Sequence, residues 1–168
     1  MIGKAMLVIA TMALSMPVMA AEWEVSVSDD LVDVAITGNI TYGDRQRFIF
    51  RKGNCETVQH TFSNFTMQAA DFKNMKGAVL AADFNGDVIG AELITSMAAM
   101  SGHMLMFNLG SYDKDSLLEY LTSNDKISIT FVDGNGHTAS DYFDMPHNEW
   151  STAGMSKAFD DAYRACIS

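Results

Sequence analysis

Apolar and polar residues alternate with a period of two over much of the chain, which is the pattern of half-buried β-strands. Within 45–51, for example, Phe48 and Phe50 alternate with arginines, so the phenylalanines are expected to face a core. Segments of this kind span residues 23–27, 32–40, 45–51, 55–62 and 103–109. Glycine and asparagine punctuate them, as in Gly38-Asn39, where we expect a bulge or bend.

Two hairpins are predicted from their turn residues. Asn85-Gly86 separates apolar strands over 76–82 and 87–94, and this dipeptide supplies the positive φ angles of a type I′ turn. A second hairpin is predicted for 126–132 and 137–143, around the turn residues 133–136.

Two helices interrupt the strand pattern. Asp113 is expected to cap a short helix whose buried face carries leucines 117, 118 and 121. The chain then ends in a compact amphipathic helix, for which Ser151 is the expected N-cap. Its apolar residues fall at offsets of 0, 3, 4, 7, 8 and 11, namely Met155, Ala158, Phe159, Ala162, Tyr163 and Cys166.

These elements predict a mainly β protein: an antiparallel β-sandwich or open barrel of about eight or nine strands with a short helix and a C-terminal amphipathic helix. Turn signals about every ten residues favour this arrangement over βαβ units. No internal repeat or linker divides the sequence, so a single β-sandwich-like domain is expected over 21–168.

Residues 1–20 have the pattern of a cleaved signal peptide, with Lys4, an apolar run and a small-residue site before Ala21. We therefore expect export to a bacterial periplasm or beyond, without a later transmembrane segment. Removal of the leader takes away Lys4 and no acid, so the net charge of −10 becomes −11. This acidity argues against nucleic acid as a partner, because phosphates attract basic surfaces.

The chain has two cysteines, Cys55 and Cys166, and an oxidising compartment favours their pairing. The bridge would close a loop of about 110 residues, which constrains the unfolded state by roughly 4–5 kcal/mol on the chain-entropy model. A redox-active pair is the alternative, but no Cys-x-x-Cys spacing is present to lower a thiol pKa.

A cluster of soft metal ligands lies within ten residues: Met97, Met100, His103, Met104 and Met106. Thioether and imidazole groups suit Cu(I), so Met97, Met100, His103 and Met106 are a candidate copper site. Methionine also fills gaps in cores, and Met104 and Met106 alternate with Leu105 and Phe107. No other cofactor is indicated.

If Phe48 and Phe50 face the core, then Arg45, Arg47 and Arg51 form a basic stripe on the opposite strand face. Such a stripe on an acidic protein is a candidate binding surface for an acidic region of a partner. It is equally a solvated face that protects a sheet edge.

The segment from Trp150 to Met155, followed by Ala158, Ala162 and Cys166, resembles the close of small exported bacterial proteins. These include the invasion-associated locus B family and periplasmic accessory proteins of type VI secretion. The resemblance covers about 25 residues of this C-terminal helix and implies a non-enzymatic β-sandwich that acts at the cell envelope through protein contacts.

The functional prediction is an exported, non-catalytic module that binds another envelope or secreted protein, as an accessory factor or an inhibitor-like protein. A periplasmic copper-binding protein is the alternative. A hydrolase with a site outside the known motifs is a third hypothesis. The four histidines stand singly, and no nucleophile elbow or His-Glu-x-x-His motif is present, so no catalytic residue is assigned.

Overall fold

The computed structural model describes residues 22–38 and 43–168, so the predicted signal peptide lies outside the described residues. Within these two ranges, nine strands form one antiparallel sheet. They are β1 (Glu24–Val27), β2 (Leu31–Thr37), β3 (Arg45–Arg51), β4 (Asn54–Thr66), β5 (Val79–Phe84), β6 (Asp87–Ala99), β7 (Gly102–Asp113), β8 (Lys126–Val132) and β9 (His147–Ser151). The helices are α1 (Lys114–Thr122), α2 (Met155–Ile167) and a 3₁₀ turn over Ala139–Asp141.

The strands follow the order β1-β2-β3-β4-β7-β6-β5-β8-β9, and the sheet curls into a half-barrel. The prediction of a mainly β, antiparallel protein with a short helix and a C-terminal helix is therefore confirmed. In this sheet, β4 pairs with β7, which is distant in sequence, so that Thr57 lies opposite Asp113. None of the helices in the described part of the chain is both long and apolar enough to cross a membrane.

The period-two pattern determines which residues face the concave side of the sheet. On β3 and β4, Phe48 lies opposite His60 and Phe50 lies opposite Val58, and all four side chains are buried. The arginines of β3 occupy the alternate positions and lie on the convex side. The predicted orientation of Phe48 and Phe50 is therefore confirmed.

Side-chain hydrogen bonds bring the two edges of the curled sheet together. The indole Nε1 of Trp23, just before β1, donates to the backbone oxygen of Ser151 at the end of β9, at 3.1 Å. Nearby, the side-chain amide of Asn148 on β9 donates to the buried carboxylate of Asp44. These contacts partly close a sheet whose edge strands have no backbone pairing with each other.

Helix α2 lies across the concave side of β1, β2 and β3, where Phe159 packs against the rings of Phe48 and Phe50. Its buried residues include Met155, Ala158, Phe159, Ala162 and Cys166, the apolar face that the sequence predicts. The N-cap prediction was wrong. Ser151 ends β9, and the helix is capped by Gly154, whose φ of 82° belongs to the left-handed region that favours glycine.

The disulfide between Cys55 and Cys166 is present and joins the end of α2 to the start of β4. The Asn85-Gly86 hairpin also forms as predicted, with φ angles of 53° and 97° at the two turn residues. Asp113 caps α1, because its carboxylate accepts from the backbone N–H of Ser116 at 2.9 Å.

The predicted strand over 137–143 was wrong. After an isolated bridge between Gly134 and His137, the chain forms the 3₁₀ turn, and β8 pairs with β9 instead. The carboxylate of Asp133 accepts from the backbone N–H of Ala139, which favours the turn. Phe143 is buried because its ring stacks on Phe131 at 4.0 Å, so packing rather than strand pairing accounts for this apolar position.

Candidate functional site

Methionines collect on the convex side of the sheet where the β6–β7 hairpin turns. Met97 on β6 lies directly opposite Met104 on β7, and Met106 follows two residues later on the same face of β7. Met100 occupies the turn itself, with a φ of 51°. On the other side of β7, Phe65 of β4 lies opposite Met104, so this row of apolar side chains crosses three strands.

We call this surface the methionine face. It consists of Phe65, Met97, Met100, Met104 and Met106. Two of these side chains are strongly exposed: Met97 by 54% and Met100 by 83%. The other three are half-buried, and Met104 packs over the backbone of Gly43.

The predicted copper ligands do not all lie on this face. His103 pairs with Ala98 at the alternate position of the strand, and its ring packs 5.1 Å from the ring of Phe72. Met97 and Met106 lie on the convex side, with Met100 at the turn between the strands. The hairpin thus places Met97, Met104 and Met106 on one side of the sheet and the imidazole of His103 on the other side.

Phe65 was not among the predicted site residues. It alternates with the buried residues Asn64 and Thr66 at the end of β4, which is a period-two signal. Its proximity to the hairpin depends on the β4–β7 register, which joins residues some forty positions apart. The local pattern therefore shows which face of the strand Phe65 occupies, but not which residues lie beside it.

The predicted basic stripe lies on the convex side of β3, and two of its three arginines are paired with acids. Arg45 contacts Glu24 at 2.9 Å, and Arg47 contacts Asp33 at 2.6 Å. Among the described residues, no acid forms an ion pair with Arg51, which is exposed.

Two shallow grooves lie beside the stripe and share Leu31 and Ile49 between them. The groove that includes Arg51 has a volume of about 130 Å³, and the groove that includes Arg47 has a volume of about 200 Å³. The Arg45–Glu24 pair is exposed, and exposed ion pairs contribute little free energy, whereas Arg47 is paired with the buried Asp33. The assignment of Arg45, Arg47 and Arg51 to partner binding stays a prediction.

Of the four histidines, His60 is the one that is fully buried. Its Nε2 lies 2.6 Å from the side-chain oxygen of Gln46, and its ring stacks on Phe48 at 4.6 Å. Burial lowers the pKa of His60 to about 3, so the ring is neutral at physiological pH. In the described ranges, no three histidine, cysteine, aspartate or glutamate side chains come together in a metal-binding group.

Comparison with models of known protein families, with curated proteins and with solved structures finds no match to this chain.

Proposed function

We propose that this chain is an exported, non-catalytic protein that binds another envelope or secreted protein through the methionine face. The observation that carries the proposal is the exposure of several large apolar side chains on one side of one hairpin end. Methionine is flexible and polarisable, so a surface rich in it adapts to the shape of an apolar partner segment.

The energetics favour a partner for this surface. Met97 and Met100 keep more than half of their surface in water, and contiguous apolar patches mark interaction sites on soluble proteins. Removal of apolar surface from water contributes about 25 cal/mol per Å². An apolar strand or an amphipathic helix of the partner is the chemistry that this face fits.

Export is supported by two features. The disulfide between Cys55 and Cys166 suits an oxidising compartment, and residues 1–20 have the pattern of a signal peptide. The resemblance of the C-terminal helix to small envelope proteins of the invasion-associated locus B kind implies the same setting.

The experiment compares two surfaces with matched variants. A photo-crosslinking amino acid is placed at position 100 and, as a control, at the exposed position 160 on α2. The protein that crosslinks in the envelope of the producing cells is identified by mass spectrometry and purified. Its affinity is then measured for the wild type, for Met97→Gln/Met100→Gln and for Arg51→Gln.

We expect the double methionine variant to weaken binding at least tenfold and Arg51→Gln to leave it within a factor of two. Glutamine keeps the length of methionine, and both positions are exposed, so the fold is retained. If only Arg51→Gln weakens binding, the arginine stripe is the binding surface and the methionine face is not. Equal crosslinking from positions 100 and 160 would also contradict the proposal.

Copper binding is a second candidate, favoured by the direct opposition of Met97 and Met104 with Met106 beside them. Three thioethers on one face are a donor set that suits Cu(I). The matched substitution is Met→Leu at 97, 104 and 106, because leucine keeps an apolar surface and removes the sulfur.

The triple Met→Leu variant separates the two candidates. A copper protein loses Cu(I) in competition with a chelator when these methionines are replaced, whereas a protein-binding face keeps its partner. A wild-type chain that takes no Cu(I) from the chelator would exclude the copper candidate and leave the methionine face as a protein-binding surface.

A further inference from the structure

A pocket of about 320 Å³ lies at the opposite end of the β6–β7 hairpin from the methionine face. Helix α1 follows β7 directly and forms one wall, while the neighbouring ends of β5, β6 and β7 form the rest. The lining residues are Phe84, Asp87, Ile89, Tyr112, Asp113, Ser116, Leu117 and Tyr120. This volume is at the small end of the range for ligand pockets, which is about 300–1,000 Å³.

Three aromatic rings line this pocket: Phe84, Tyr112 and Tyr120. The rings of Phe84 and Tyr120 lie 5.8 Å apart at 38°. Hydrogen bonds hold the two tyrosines, since the hydroxyl of Tyr112 donates to the backbone oxygen of Leu109 at 2.5 Å and that of Tyr120 to the backbone oxygen of Phe84 at 3.1 Å. The buried Leu117 adds apolar surface to the lining.

The charge around the rings is negative. Asp87 and Asp113 are the charged residues of the lining, and none of the described lining residues is basic. The hydroxyl of Tyr120 donates to the carboxylate of Asp87 at 2.8 Å. Burial, followed by Asp87 and the nearby Asp83, raises the pKa of Tyr120 to about 12, which is consistent with a negative local field.

We propose that this pocket binds a small organic cation of the quaternary ammonium or alkylammonium class. A cation over an aromatic face is attracted by the negative side of the ring quadrupole, and an apolar body with delocalised charge loses little hydration on entry. The carboxylates of Asp87 and Asp113 complement the charge, while Ile89 and Leu117 contact the methyl or methylene groups. An anion finds no basic partner in this lining.

The test uses choline and its neutral carbon analogue, dimethylbutanol, as a matched pair of the same shape. Both are titrated into the full chain without its leader, and methyl resonances of Ile89 and Leu117 are followed by NMR. We expect choline to shift these resonances saturably and to bind at least tenfold more tightly than the neutral analogue. This comparison needs no substitution and is therefore independent of any effect on folding.

Two variants locate the binding. Asp87→Asn removes the charge and keeps an acceptor for Tyr120, and we expect it to weaken choline binding at least fivefold. Asp160→Asn removes one exposed negative charge on α2, away from the pocket lining, and is expected to leave the affinity unchanged. Equal weakening by the two variants would show attraction by net charge alone and overturn the proposal.

Two further results would also overturn it: equal affinity for choline and dimethylbutanol, and no saturable shift at Ile89 and Leu117. If phosphatidylcholine vesicles shift the same two resonances as free choline, a lipid headgroup is one source of the ammonium group. The methionine face is not part of this pocket, so its variants are expected to leave choline binding unchanged.

Discussion

Asn148 donates a hydrogen bond from its side-chain amide to the carboxylate of Asp44, and this contact ties the last strand of the sheet to the start of the third. Asp44 is fully buried and also accepts from Asn64 at 3.2 Å and from the backbone N–H of Phe65 at 2.9 Å. Its backbone oxygen accepts from Gly38 at 2.6 Å. A single acidic residue thus joins β9 to the strands on the other side of the half-barrel.

The ionisation of Asp44 should make folding stability depend on pH. Burial raises the pKa of Asp44 to about 6, although its hydrogen bonds oppose the shift. The folded state therefore holds the proton of Asp44 more tightly than the unfolded state does. The contribution of this protonated residue to the free energy of unfolding is fully present below about pH 4. That contribution is lost as the pH rises to about 6, and the loss is at most about 3 kcal/mol at 1.36 kcal/mol per pKa unit.

Urea unfolding of the wild type and Asp44→Asn at several pH values between 4 and 7 measures this effect. The variant loses an acceptor for two amide donors, so we expect it to be less stable at pH 4 by about 1–3 kcal/mol. The deficit should shrink as the pH rises, because only the wild type has the buried carboxylate to ionise. Parallel pH profiles for the two proteins would rule out the raised pKa.

His60 should have the opposite pH dependence. Its pKa is lowered to about 3 by burial, so below about pH 6.5 the unfolded state binds a proton that the folded state excludes. Stability from this residue is complete above pH 6.5 and is lost on acidification at about 1.4 kcal/mol per pH unit. Between pH 4 and 6 the contributions of His60 and Asp44 therefore oppose each other.

His60→Phe keeps a ring against Phe48 and removes the titration. We expect its unfolding free energy, relative to that of the wild type, to increase as the pH falls from 6.5 to 4. The other titratable groups are the same in the two proteins, so their effects cancel in the difference between the two unfolding free energies. The pH dependence of this difference therefore reports on His60 alone. A constant difference over this range would contradict a neutral, buried His60.

Removal of the disulfide should lower stability without removing the fold's binding surfaces. Cys166→Ser breaks the link between α2 and β4, and loss of a native disulfide costs about 2–5 kcal/mol. In thermal melts, we expect the Tm of Cys166→Ser to be close to that of the wild type in reductant. It should also be close to the Tm of the double variant Cys55→Ser/Cys166→Ser. A folded Cys166→Ser protein that no longer binds its partner would indicate a redox role for the pair.

Gly102 should be intolerant of a side chain, because the backbone of β4 lies against it. A Cβ at this position would overlap the backbone oxygen of Thr66 and lie 2.8 Å from the ring of Phe65. Overpacking of this kind costs about 1–3 kcal/mol or more, since a strand backbone cannot move aside cheaply. We expect Gly102→Ala to reach the upper part of this range in chemical unfolding.

Gly90→Ala is the control for Gly102→Ala. Its Cβ would meet one methyl group of Val79 at 2.8 Å and no backbone atom, and Val79 is an exposed residue at the start of β5. We expect a cost below about 1 kcal/mol, typical of adjustable contacts near the surface. Similar costs at the two glycines would show that the β4 backbone yields to the added methyl group.

Local elements could be predicted from the sequence wherever one physical constraint was sufficient. Period-two alternation places Phe48 and Phe50 inside the sheet, and the helical spacing identifies the buried face of α2. Positive φ at Asn85 and Gly86 determines the hairpin turn from two residues alone. These features depend on neighbours in the chain, so no tertiary information is needed to predict them.

The local pattern gave wrong predictions where contacts between distant residues determine the backbone conformation. Residues 137–143 have strand-like apolar positions, yet the stacking of Phe143 on Phe131 and the Asp133 contact produce a turn, and β9 takes the place beside β8. The start of α2 was also misplaced, because the pairing of Ser151 with Lys126 extends β9 through the expected cap.

The composition of the candidate sites depends on long-range strand pairing. The spacing of Met97, Met100, His103 and Met106 does not reveal that strand alternation separates His103 from the thioethers. Nor does it reveal that the β4–β7 register adds Phe65 to the same surface. The pocket beneath α1 combines residues from three strands and a helix, with Phe84 and Tyr120 separated by 36 positions. Sequence patterns specify which side of a strand a residue occupies, whereas long-range backbone pairing determines which other residues lie beside it.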